Sequence, residues 1–186
     1  MLLQNGQIAA IGKTDAIVQQ YLTRALPAAE VVRFDTLRRA EAYGGRVVIL
    51  RAEAPEGRAG FHYDFCEAIA FDLIMEAKEE FAEIELRTTV SSVKGFEVLD
   101  WSTKCAAQPL GVAPGLNRVR IALGGRLLPG WYKMRLSIKS SKGQEDHLHE
   151  AMDFEVRTNA LAAKIGADTF QGIVVPEGRF SVVETA

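Results

Sequence analysis

The stretch from Leu127 to Ile138 constrains this chain more than any other. After the turn pair Pro129-Gly130, the residues Tyr132, Met134, Leu136 and Ile138 alternate with Trp131, Lys133, Arg135 and Ser137. Successive side chains of an extended backbone point to opposite faces, so this period of two demands a β-strand with one buried and one solvated face. Tyr132 belongs to the buried set, its hydroxyl bonding nearby backbone. Trp131 falls on the solvated side with two cations and a hydroxyl, a combination that suits a flat polar ligand such as a sugar.

The same device recurs along the chain. Arg46 to Ala54 forms a strand that stops at Pro55-Glu56-Gly57, and Phe61, Tyr63 and Phe65 share a face opposite His62 and Asp64. Ile69, Phe71 and Leu73 alternate with Ala70 and Asp72; Ile84 and Leu86 point inward while Glu83, Glu85 and Arg87 point outward. Lys94 to Trp101, Asn117 to Leu123 and His149 to Val156 follow, each bounded by Gly, Pro or Ser turns. Gly172 to Val175 and Phe180 to Val183 make a last pair around Pro176-Glu177-Gly178. Short alternating strands with no helix after position 45 indicate an all-β antiparallel sandwich of roughly eight strands.

The chain opens differently. Asn5-Gly6 between two short apolar runs is a hairpin signal. Thr14 or Asp15 can cap a helix carrying Ile17, Val18, Tyr21 and Leu22 as far as Pro27. Val31, Phe34 and Leu37 among arginines fit a short amphipathic helix or an irregular linker better than a strand. The expected organisation is therefore a hairpin and helix over residues 1–26, a linker over 27–44 and a sandwich over 45–186.

Composition narrows the function. At 186 residues and 48% hydrophobic content the chain can bury one good core and not a second complete domain. A net charge of -2, with 22 basic and 24 acidic residues interspersed, gives no attraction for nucleic acid or anionic lipid. The first residues lack the basic and apolar regions of a signal peptide, and no apolar run reaches the ~20 residues that span a bilayer. A cytoplasmic protein is expected. Cys66 and Cys105 are too few for a disulfide framework and lack metal-ligand spacing, so they read as reduced thiols.

The opening pattern of an apolar pair, Asn5-Gly6, Ile8, Gly12, Asp15, Val18 and Tyr21-Leu22 resembles the end of the nucleotide-binding domain of ABC transporter ATPases that export cell-surface polysaccharides. The Gly-rich phosphate loop with its Lys is missing, so no ATP binding or hydrolysis is expected of this chain, which looks like a fragment of a longer protein. Further on, Glu67, Lys94-Gly95, Ser102-Thr103, Leu127-Leu128-Pro129-Gly130 before Tyr132, and Ala151 to Val156 resemble the C-terminal domain of Wzt-type ATP-binding subunits. That resemblance implies an immunoglobulin-like β-sandwich that binds an O-antigen polysaccharide during export. It also implies a homodimer, joined to the transporter's membrane subunit through the ATPase domain at the cytoplasmic face of the inner membrane. The motifs are turn and core signatures, and none is itself a sugar-binding residue. Phe180 stands where such domains often carry a Trp.

Sugar sites pair an aromatic ring, for the apolar face of a pyranose, with charged or amide groups for its hydroxyls. The candidate glycan-binding residues are Trp131, Lys133 and Arg135 on one strand, Trp101 beside Asp100, and Arg87 and Glu85 on a neighbouring strand. Against this stands the reading that each large aromatic covers a sheet edge or hairpin. Phe61, Tyr63 and Phe65 are better taken as core than as a stacking platform. His147 and His149 share one side of an extended segment, but only His62 remains as a third imidazole, so a solvated loop is a better reading than zinc. No nucleophile elbow or marked carboxylate pair points to catalysis, and no cofactor is expected. The competing function is a dimerisation or docking module that positions the transporter ATPases without touching glycan, with Phe180 to Val183 pairing with a second chain's sheet edge.

Overall fold

The computed structural model describes residues 2–4, 7–14, 17, 29–35, 39, 43–105, 109–124 and 126–167. Its first elements are β1 (Leu2–Gln4) and β2 (Gln7–Ala10), an antiparallel pair around Asn5-Gly6, as the turn signal requires. The expected helix up to Pro27 and the strand pair at 172–183 lie outside the described residues.

The remaining strands make two sheets. One has four strands in the order β10-β6-β4-β3, formed by β3 (Val31–Arg33), β4 (Val47–Glu53), β6 (Ile69–Ala77) and β10 (Gly115–Leu123). The other runs β5-β12-β11-β7-β8, with β5 (His62–Asp64), β7 (Phe81–Ser92), β8 (Glu97–Ser102), β11 (Gly130–Ser140) and β12 (Gly143–Arg157). A short β9 (Leu110–Val112) pairs with the first half of β7. Among the described residues all pairings are antiparallel except β5 with β12, which is parallel.

The core lies between the sheets. Ile69, Phe71, Leu73 and Met75 of β6, with Ile49 of β4, are buried together with Met134, Leu136 and Ile138 of β11 and Leu86 and Val90 of β7. Phe154 stacks on Tyr132 at 5.4 Å between ring centroids and meets the edge of Tyr63 at 5.8 Å. The Tyr132 hydroxyl donates to Leu128 O at 2.7 Å, and burial pushes its pKa up to about 12. Phe61, Tyr63 and Phe65 are all buried, which fits the core reading.

Two expectations change. Val31–Arg33 is a strand, not a helix or linker: it pairs antiparallel with β4, and Phe34 is fully buried beyond it. Adjacent Val31 and Val32 are β-branched, and a β4 edge in reach outweighs the weak helical spacing. A helix also follows the last described strand, α1 (Ala160–Ile165). Asn159 caps it by accepting from Ala162 N at 3.0 Å while donating to Phe65 O at 2.9 Å, and Gly166 ends it in the left-handed conformation.

Buried carboxylates pin the sheets together at the start of β12. Asp146 accepts from Arg39 Nε and Ile49 N, each at 2.8 Å, tying β4 and the segment before it to the six-stranded sheet. Glu145 accepts from Arg46 and from Ser140 Oγ at 2.6 Å; burial opposes its ionisation, but these hydrogen bonds hold its carboxyl below the usual range. Cys66 and Cys105 are free thiols.

Candidate functional site on the six-stranded sheet

The outward side chains of β11 are Trp131, Lys133, Arg135, Ser137 and Lys139, because their alternates fill the core. The register sets their neighbours. Lys133 lies between Asp153 of β12 and Ser91 of β7, Arg135 beside Thr89, Ser137 between His147 and Arg87, and Lys139 beside Glu85. β8 extends the rows, placing Asp100 beside Thr89 and Ser102 beside Arg87. Trp131 lies next to Glu155, and Glu155 next to His62 of β5.

Two cavities flank the β11 row. One, of about 260 Å³, is lined by Glu85, Arg87, Asp100, Arg135, Lys139 and His147 among others. The other, of about 420 Å³, is lined by Trp131, Lys133, His62 and Asp153 together with Val31 and Val32 of the edge strand β3. Five of the six candidate residues thus come together on one face: Glu85, Arg87 and Arg135 at the first cavity, Trp131 and Lys133 at the second. Trp101 does not join them. It pairs across from Thr88, which is fully buried, and packs half-buried against the core on the opposite face. The alternation that turns Asp100 outward turns Trp101 inward.

Arg87, Arg135 and Glu85 of the smaller cavity are each paired within the protein. The Arg87 guanidinium hydrogen-bonds Asp100, with Nε to Oδ1 at 2.8 Å, and holds that carboxyl below its usual range. Arg135 Nη1 donates to Glu97 at 3.1 Å, and Lys104 Nζ at 2.8 Å from Glu85 lowers the Glu85 pKa. Fixed ion pairs of this kind present donors and acceptors in preset positions, which is what sugar hydroxyls need. In the larger cavity Trp131 meets the His62 ring edge-on at 6.2 Å, and Lys133 Nζ reaches Glu150 at 3.1 Å. Burial holds the Asp153 carboxyl above the ordinary range.

Sequence reasoning missed His147. It belongs to β12, not to a loop, and it stacks on His149 at 4.0 Å and faces Tyr43 at 6.0 Å. Burial, then the neighbouring His149 and Arg135, lower its pKa. The alternation of His147 and His149 around Leu148 was visible, but the strand partner of His147, Ser137, was not. Among the described residues no group of three or more His, Cys, Asp or Glu side chains could hold a metal ion.

Comparison with solved structures gives a match to the crystal structure of the C-terminal domain of Wzt, with a TM-score of 0.63 over 86% of this chain and 94% of that one. The chain has the fold of the Wzt C-terminal domain. At 12% sequence identity the likeness is one of backbone architecture. Family models and characterised proteins give no match. The all-β sandwich and the likeness to Wzt expected from the turn and core motifs are therefore observed. No helix of the described residues is long and apolar enough to cross a membrane.

Proposed function

We propose that the chain is a non-catalytic carbohydrate-binding domain that recognises a cell-surface polysaccharide for export by an ABC transporter. The observation that carries this reading is the gathering of Trp131, Lys133, Arg135, Arg87 and Glu85 on one outer sheet face beside two open cavities, on a fold shared with the Wzt C-terminal domain. The Trp131 ring, cations and pre-paired carboxylates offer both halves of sugar recognition. Under this reading residues 1–26 are the tail of an ATPase domain, which links the sandwich to the membrane subunit at the cytoplasmic face, and the assembly is a homodimer.

Calorimetric titration of the folded domain with the surface polysaccharide of the organism that encodes it tests the proposal, with an unrelated polysaccharide as control. Saturable, selective binding is expected. A folded domain that ignores its own glycan at millimolar sugar would reject it in favour of an assembly module.

A further inference from the structure

We infer that the two cavities are consecutive subsites of one groove along β11, so that the domain grips several consecutive sugar units rather than one terminal residue, with His147 a ligand-binding residue of the second subsite. The inference rests on the carbohydrate reading above and specifies its ligand.

Continuity is the first argument. Lys133 lines one cavity and Arg135 the other, and they are successive outward residues of a single strand. From Trp131 to Lys139 the row runs about 27 Å at about 3.4 Å per residue, much longer than one pyranose ring. A β-bulge marks the junction. Met134 pairs with Met152 and Leu136 with Leu148, which leaves His149, Glu150 and Ala151 opposite Arg135 alone. Such a bulge re-aims side chains. Here Glu150 turns to Lys133 in one cavity, while His149 backs His147 in the other.

Chemistry is the second argument. The Trp131 cavity contains Val31, Val32 and Met152 as apolar lining, whereas the His147 cavity is lined by polar and charged residues. One sugar ring cannot fill both. Two buried atoms of the polar cavity's lining residues, Arg135 Nε and His147 Nε2, have no hydrogen-bond partner in the protein. Buried polar atoms are nearly always satisfied, and because neither atom is open to solvent here, a guest hydroxyl would satisfy them once the Arg135 and His147 side chains turn toward the cavity they line. Cations Arg87, Arg135 and Lys139 alternate with Glu85, Glu97 and Asp100 around them, so the cavity has no single-sign field and suits a neutral, hydroxyl-rich unit over a polyanion.

The test is titration of the wild type, Trp131→Ala and His147→Ala with size-fractionated oligosaccharides of one sugar unit, two, and successively more, cut from the same surface polysaccharide. Affinity should climb with length until the groove is filled and then level off. Trp131→Ala should weaken fragments of every length, whereas His147→Ala should cost about threefold to tenfold on the longer fragments alone. The length series needs no substitution, and His147→Gln, which keeps a hydrogen-bonding end, should retain more affinity than alanine. Affinity flat from one unit upward, or long fragments indifferent to both His147 variants, would overturn the groove and leave carbohydrate binding standing. Absence of binding at every length by the folded wild type would remove both readings.

Discussion

Trp101 and Trp131 occupy opposite faces of the same sheet, and the residue-scale prediction follows from that. Trp101 packs against the core from the edge strand β8, so Trp101→Ala should cost about 2 kcal/mol, less than a fully buried Trp, and spare glycan affinity. Trp131 projects from β11 into an open cavity and touches the edge of His62. Its replacement by alanine should change stability by less than about 1 kcal/mol and remove most of the binding. Urea denaturation together with titration of both variants separates the two; equal stability losses would refute the assignment of faces. The alternating pattern contained this distinction, since Asp100 and Trp101 are neighbours and must diverge. Which of them faced outward depended on a register with Thr88 and Thr89 that adjacent residues do not encode.

At the scale of elements, β3 and the segment after it decide where the sandwich begins. The strand pairs with β4, Phe34 is buried, and Arg39 neutralises the fully buried Asp146. A chain beginning at residue 45, the boundary that composition and period suggest, would keep Asp146 but lose its cation. Leaving a buried charge unpaired costs on the order of 3 kcal/mol, before the loss of Phe34 is counted. A chain beginning at residue 27 should therefore unfold at clearly higher urea than one beginning at 45. Matching midpoints would show that β3 adds nothing to the sandwich. The last helix has the opposite history: Asn159 ahead of Ala160-Leu161-Ala162-Ala163 and Gly166 behind them are local cap signals, readable without any tertiary contact.

For the whole molecule, pH is the broadest probe. His62 and His147 both have lowered pKa values, through burial first and nearby cations or imidazole second, so the unfolded chain takes up their protons more readily. Their contribution to stability is full above about pH 6.5 and is lost as pH falls through their folded values. Asp72 is held below the usual range first by the Arg120 hydrogen bond, with Arg118 adding to it, and Glu145 and Asp100 are lowered too. Their stabilisation is present above about pH 4 and disappears as pH falls further. Asp153, raised by burial, runs the other way and gains on acidification. Denaturation midpoints should fall in two stages, near pH 6 and below pH 4. A midpoint constant from pH 7.5 to 5 would show that neither imidazole is displaced from its ordinary value.

The sequence by itself determined most of the sandwich strands and the turns between them, because a period of two and the backbone demands of Gly and Pro are local properties, but it did not reveal β3 or the inward face of Trp101. It also determined that Trp131, Lys133 and Arg135 share a face, since they lie on one strand. Only the tertiary structure decided which strands stand side by side, and that is what joins Arg87 and Glu85 to Arg135, adds His147 and excludes Trp101. Strand neighbours are chosen by core packing across long separations in sequence, and a site spread over β7, β8, β11 and β12 is assembled by that choice.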